Sequence, residues 1–154
     1  MAKLLKANLV TTPMSNQEQI EQLIRAQEQA VRQKHIDGAM AYYATDVVSF
    51  DVVNTLQKVG ISACRERLES WLAQFPGPFS YAIETLCVVA NDELGFSYSF
   101  NHVQGALASG EEIDMRWRST ICFNKQHEQW LITHEHSSVP FDGPSGQALI
   151  KLEA

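Results

Sequence analysis

His134 and His136 stand two positions apart in the run Trp130-Leu131-Ile132-Thr133-His134-Glu135-His136-Ser137-Ser138. Imidazole gives and takes a proton near neutral pH, so this pair is the first candidate for acid–base chemistry. Trp130, Ile132, His134 and His136 recur at every second position, and strand side chains alternate faces. The expectation is therefore a strand with one face that begins as core and ends as two imidazoles in a polar pocket. The same spacing offers two metal ligands, with His102 or Asp51 as a third. It is not the helical HExxH arrangement, and no metal or other cofactor is expected. A plain structural reading stands beside both: histidines hydrogen-bonded to Arg116 or Arg118 on a neighbouring strand.

Asp51 follows the apolar segment Val47-Val48-Ser49-Phe50. A carboxylate between apolar walls loses solvation and becomes a better base. The alternative is an end-of-strand Asp that bonds the Asn54-Thr55 turn. Along 114–121, Met115, Trp117, Ser119 and Ile121 share one face, while Asp114, Arg116, Arg118 and Thr120 share the other. If Ser119 faces a pocket, Trp117 does too and can stack on a flat ring. The arginines then point outward. A β-bulge that reversed this register would instead make Arg118 a clamp for a carboxylate ligand.

The elements that must position these groups are legible in outline. Ser15 with Glu18 is a capping box, and Ile20, Leu23, Ile24, Ala30 and Val31 form a helical apolar stripe. Gln27 falls inside that stripe, either as a helix-edge amide or as a polar group looking into a cavity. A short second helix ends at Tyr42-Tyr43, strands are expected over 47–53 and 56–59, and a third helix runs from Gly60 to Phe75. Pro76-Gly77-Pro78 stops it. Long strands are expected over 79–90, 94–107, 111–123 and 129–138, and the short turns between them require antiparallel pairing.

The 154 residues form one domain, with an arm over 1–14, a body over 15–140 and an irregular tail over 141–154. A net charge of −6 with scattered basic residues argues against a nucleic-acid partner. No apolar run reaches the roughly 20 residues of a membrane span, so no membrane partner is expected. Cys64, Cys87 and Cys122 form no CxxC pair and fit a reducing, cytoplasmic setting.

Three stretches carry a family resemblance: Asp37-Gly38 followed by Tyr43-Ala44-Thr45-Asp46-Val47-Val48-Ser49-Phe50-Asp51; Val89-Ala90-Asn91-Asp92; and the closing Trp130-x-Ile132-x-His134-x-His136-x-Ser138-x-Pro140. In this order and over about 15–140, the chain resembles the SnoaL-like and ketosteroid isomerase-like group of the nuclear transport factor 2-like superfamily. The resemblance implies an α+β fold: a cone-shaped, curved antiparallel sheet packed by three N-terminal helices, with a pocket between them. It further implies a homodimer through the outer sheet face. Ketosteroid isomerase uses an Asp base with an oxyanion hole made by a Tyr and a protonated Asp. The base position falls on Asp51, but the oxyanion positions fall on Gln27 and Ser119, so a true ketosteroid isomerase is not implied. The same register turns Ser97, Ser99 and Asn101 into the cavity and Phe96, Tyr98, Phe100 and His102 away from it.

The resulting expectation is an acid–base enzyme of isomerase or cyclase type acting on a compact, partly apolar cyclic molecule. Asp51 would move the proton with His136 or His134, while Gln27, Asn101 and Ser119 orient oxygens beside Trp117. The competing expectation is a non-catalytic ligand-binding or interaction dimer of the same fold.

Overall fold

The computed structural model describes residues 12–153, so the arm expected over 1–14 lies, up to residue 11, outside the described residues. Helix α1 (Asn16–Arg32) starts at a complete capping box: Ser15 Oγ accepts from the Glu18 amide and Glu18 Oε2 accepts from the Ser15 amide. Its apolar stripe is buried together with Gln27 and Glu28. A short α2 (Ile36–Met40) leads into strand β1 (Tyr43–Phe50), which pairs with the two-residue β2 (Lys58–Val59). Helix α3 (Ile61–Leu72) buries Cys64, Leu68 and Leu72 and ends ahead of Pro76. Four long strands follow, β3 (Phe79–Ala90), β4 (Leu94–Ala106), β5 (Glu112–Gln126) and β6 (Gln129–Ser138).

The strands form one six-stranded sheet in the order β2-β1-β6-β5-β4-β3. The α+β architecture expected from the sequence is present, with one addition: β1 pairs with β6 in parallel, so the sheet is mixed. That pairing joins segments far apart in sequence, where no tight turn dictates an antiparallel return. The tail returns to the sheet: Phe141 bridges Ala148, and Arg116 N–H donates to Ile150 O at 2.7 Å, beyond the point where β6 stops covering β5. No helix among the described residues is long and apolar enough to cross a membrane.

Two bulges decide which side chains face inward. On β3 the register shifts between Glu84 and Cys87, where Thr85 takes a φ of 51°. On β6, Ile132 pairs with Phe123 but His134 pairs with Cys122, leaving Thr133 as an extra residue. A bulge of this kind exchanges the two faces of a strand beyond it. Trp130 and Ile132 therefore face the core, whereas Glu135 and Ser137 face inward and His134 and His136 face outward. This corrects the expectation of one shared face for Trp130, Ile132, His134 and His136.

The edge strand β3 is covered by α1. Glu28 Oε1 accepts from the Ile83 amide at 2.8 Å and from Arg32 Nη2 at 2.8 Å, while Glu28 Oε2 meets Arg25 at 3.0 Å. Arg25 and Arg32 donate in turn to the Ile83 and Tyr81 carbonyls. These bonds occupy backbone groups that a bare edge would offer to another chain. Glu28→Ala is expected to lower urea-measured stability by about 2 kcal/mol, chiefly because it strands the buried Ile83 amide. Glu28→Gln, which keeps an acceptor there, should lose less; equal losses would contradict this account.

Candidate functional site

Between the helices and the inner sheet face lies a cavity of about 280 Å³. Its sheet wall can be followed strand to strand. Ser97, Ile121, Glu135 and Ser49 stand in one row across β4, β5, β6 and β1. Ser99, Ser119 and Ser137 form the next row, and Asn101 and Trp117 the one beyond. Small hydroxyl residues in the middle row leave open space, while the helices close the cavity with Gln27, Cys64, Arg67, Leu68 and Trp71.

The polar end is built around Glu135. Tyr43 Oη donates to Glu135 Oε2 at 2.7 Å and Ser49 Oγ donates to Glu135 Oε1 at 2.8 Å. Gln27 Nε2 donates to Tyr43 Oη at 3.1 Å and to the Ala39 carbonyl at 3.3 Å. Arg67 lies between two carboxylates, its Nε 3.2 Å from Asp51 Oδ2 and its Nη2 3.9 Å from Glu135 Oε1. The first pair is within ionic reach, yet the Arg67 Nε–H is not aligned for a hydrogen bond. The connected order is thus Gln27, Tyr43, Glu135, Arg67, Asp51.

Burial and charge set the protonation of the neighbours. Burial, then the Glu135 charge, pushes the Tyr43 phenol well above its usual range, so it stays a donor. Burial pushes the Cys64 thiol up to about 11, with Glu135 as the next cause. Burial alone would pull the Arg67 guanidinium down, but Glu135 and Asp51 outweigh it and hold it above its usual range. At the other end, Tyr81 stacks on Trp117 with ring centroids 6.1 Å apart, and Trp71 meets both rings edge-on at 6.0 and 6.2 Å.

Against the sequence expectations, Gln27, Asn101, Trp117 and Ser119 all line the cavity. Asp51 lies just past β1 and meets Arg67 from behind, with its own Oδ1 accepting from the Val52 amide at 2.7 Å. His134 and His136 lie on the outer face, where His134 Nδ1 is 2.7 Å from the Val48 carbonyl and both rings pack edge-on against Phe50. They are not beside Asp51 in the cavity, because the Thr133 bulge turned them out. Arg118 is exposed and donates to Ser138 Oγ at 3.1 Å, so it is no clamp for a ligand in the cavity. A bulge does exist, but on β6, so it moved the histidines and left the arginines outside. His102 also faces outward, 2.7 Å from Asp114, and no group of three metal-ligating side chains is found among the described residues.

Sequence reasoning missed Glu135, Arg67, Tyr43 and Tyr81. Arg67 carried a usable signal, since it sits within the Cys64, Leu68, Trp71 face of α3 where a cation has no apolar reason to be.

Residues 20–142 match the SnoaL-like domain family, and the chain belongs to that family, within the nuclear transport factor 2-like superfamily. A nuclear transport factor 2-like protein of unknown function from Pseudomonas putida KT2440 is 33% identical, with a TM-score of 0.82 over 92% of this chain and 100% of its own. A protein provisionally described as a dehydratase, from Streptomyces avermitilis, shares the fold at 11% identity, with a TM-score of 0.68 over 79% of this chain and 93% of its own. Another, provisionally described as a ketosteroid isomerase, from Shewanella frigidimarina NCIMB 400, does so at 18% identity, with a TM-score of 0.65 over 76% and 92%. No curated protein matches the chain.

The buried phenols and thiol make a pH prediction. An unfolded chain releases the Cys64 proton near 9 and the tyrosine protons near 10, whereas the folded protein keeps them to higher pH. Folding is then fully favoured below about pH 9 and loses ground as pH rises through the folded values. Urea midpoints should fall between pH 9 and 11, and absorbance at the phenolate band should show Tyr43 and Tyr81 silent until unfolding. Midpoints flat across that range would contradict the burial described.

Proposed function

We propose that this protein moves a proton on a compact, partly apolar cyclic substrate, as an isomerase or cyclase without a redox cofactor. The observation that supports the reading best is the Glu135 carboxylate in the cavity wall, oriented through both of its oxygens. In the proposed reaction Glu135 takes a proton from a carbon next to a carbonyl and returns it to another carbon of the same molecule. Tyr43 and Ser49 hold the carboxylate in place and need not move as its charge changes. Arg67 balances Glu135, and Asp51 balances Arg67 from the far side, so Asp51 acts through Arg67 as a positioning residue. His134 and His136 have no part in it.

Hydrogen–deuterium exchange at the carbons next to the carbonyl of 2-cyclohexenone, 1-indanone and 1-tetralone, followed by NMR in D2O, checks this directly. The protein should accelerate exchange, and Glu135→Gln should slow it about a hundredfold or more, as loss of a general base does. Asp51→Asn should slow it less, and His136→Ala should leave it within about twofold. Exchange that survives Glu135→Gln would overturn the proposed role of Glu135.

We also propose that the outer sheet face meets a second copy of the chain, in the cytoplasm. A row across that face runs Cys87, Tyr98, Thr120, His136, Phe50 from β3 to β1, and Tyr98, Phe50 and the nearby Phe96 and Val89 are exposed. Light scattering behind gel filtration should give twice the chain mass, reduced to one mass by Tyr98→Glu. A single-chain mass for the unaltered protein at high concentration would refute the pairing.

A further inference from the structure

Outside the cavity, a groove of about 540 Å³ lies between α1 and the start of β6. Gln19, Leu23 and Ala26 form its helical wall, and Tyr42, Trp130 and Leu131 also line it. It exists because β6 begins before β1 does. Pairing with β1 starts at Tyr43 opposite Ile132, so residues 129–131 have β5 on one side and no strand on the other. Backbone groups alternate sides along a strand, and the Ile132 N–H donates toward β1, to the Tyr42 carbonyl. The N–H and C=O of Trp130, two residues earlier, point the same way and meet no backbone partner there among the described residues. The Trp130 indole Nε1 is likewise buried without a hydrogen-bond partner. One residue thus leaves both its backbone and its side chain in need of partners.

We propose that residues 1–11 occupy this groove in extended form, as a short strand along the open edge of β6. An added strand meets exposed N–H and C=O groups with its own backbone, which an apolar molecule cannot do. The path of the chain leads there. Gln19 Nε2 donates to the Met14 carbonyl at 3.0 Å, which ties the segment entering α1 to a residue of the groove wall. Pro13 disposes Thr12, just before it, to extended backbone.

Length, pattern and charge agree with this occupant. At helical rise the wall from Gln19 to Ala26 is about 10 Å long, which about four extended residues cover. Residues 1–11 reach at most about 36 Å, so the arm spans the groove with chain to spare. In extended form Leu5, Ala7 and Leu9 share one face, suited to Leu23, Ala26 and Leu131, and Lys6 and Asn8 share the other. The arm carries Lys3 and Lys6 and no acidic residue, in a chain of net charge −6. The one charged side chain among the described lining residues is Glu128, 94% exposed and 3.7 Å from Lys125.

Methyl NOE spectra of the full chain test the placement. The Leu5 and Leu9 methyls should show contacts with Leu23 and Leu131. A sample that mixes differently labelled chains separates contacts within one chain from contacts between two, and these should lie within one chain. Amide hydrogen exchange gives a second readout. The Trp130 amide should exchange about tenfold faster or more in the Leu5→Asp, Leu9→Asp double variant than in the wild-type protein, while amides of the β4–β5 ladder keep their wild-type rates.

Random-coil shifts over residues 1–11, arm contacts to any other surface, or an unchanged Trp130 rate in the double variant would overturn the proposal. Contacts seen only between differently labelled chains would do so too, because the groove would then take the arm of a second copy. Faster exchange across the whole β4–β5 ladder would also count against it, since the arm is placed only on the edge of β6.

Discussion

A single extra residue in β6 determines what this cavity is made of. Thr133 has no partner in the β5 ladder, so the strand changes faces between Ile132 and His134. Before the bulge, Trp130 and Ile132 complete the core under α1; after it, Glu135 and Ser137 reach the cavity. Without it, two imidazoles would face inward and the carboxylate would sit outside beside Phe50. The bulge is held on both sides: Ile132 N–H donates to the Tyr42 carbonyl at 2.7 Å, and the Thr133 hydroxyl donates to the Cys122 carbonyl at 3.3 Å. Tyr43, which follows the first of these anchors, supplies the hydroxyl that orients Glu135.

Burying a carboxylate in such a place is unfavourable unless its partners are fixed in advance. Here the partners come from two other elements, Tyr43 and Ser49 from β1 and Arg67 from α3, so the cluster forms only when helix and sheet have docked. The same solution recurs at the opposite edge, where Glu28 of α1 ties Arg25, Arg32 and the β3 backbone together. Buried Glu28 and partly buried Glu135 both lie where elements meet, so each ties its neighbours into one arrangement. Between them the serine row keeps the space open, and the Trp71, Tyr81, Trp117 cluster closes the apolar end.

Much of this was legible in the sequence, and the failures have a common cause. Ser15 and Glu18 marked the helix start because a cap is a local interaction. Strict alternation, which β4 and β5 keep through this region, put Ser97, Ser99 and Asn101 on one face and Trp117 and Ser119 on one face, and the family resemblance turned those faces inward. On β6 the alternation breaks at Thr133, and no feature of Trp130-Leu131-Ile132-Thr133-His134 announces it, because a bulge is set by what the neighbouring strands require. His134 and His136 were therefore read onto the wrong face and Glu135, between them, was passed over. Tyr81 was invisible for another reason. Its hydroxyl is held by Asn101, itself oriented by Ser99 on the adjacent strand, a contact made only when β3 and β4 pair.

The most direct measurement is the accessibility of the residues beyond the bulge. Single cysteines would be placed at 135, 136 and 137 in a Tyr98→Glu background whose three native cysteines are replaced, so that no second copy covers the outer face, and iodoacetamide labelling timed for each under native conditions. Labelling should be fast at 136 and slow at 135 and 137, all three becoming equal in urea. Fast labelling at 135 and 137 with protection at 136 would place the histidine in the cavity and contradict the account.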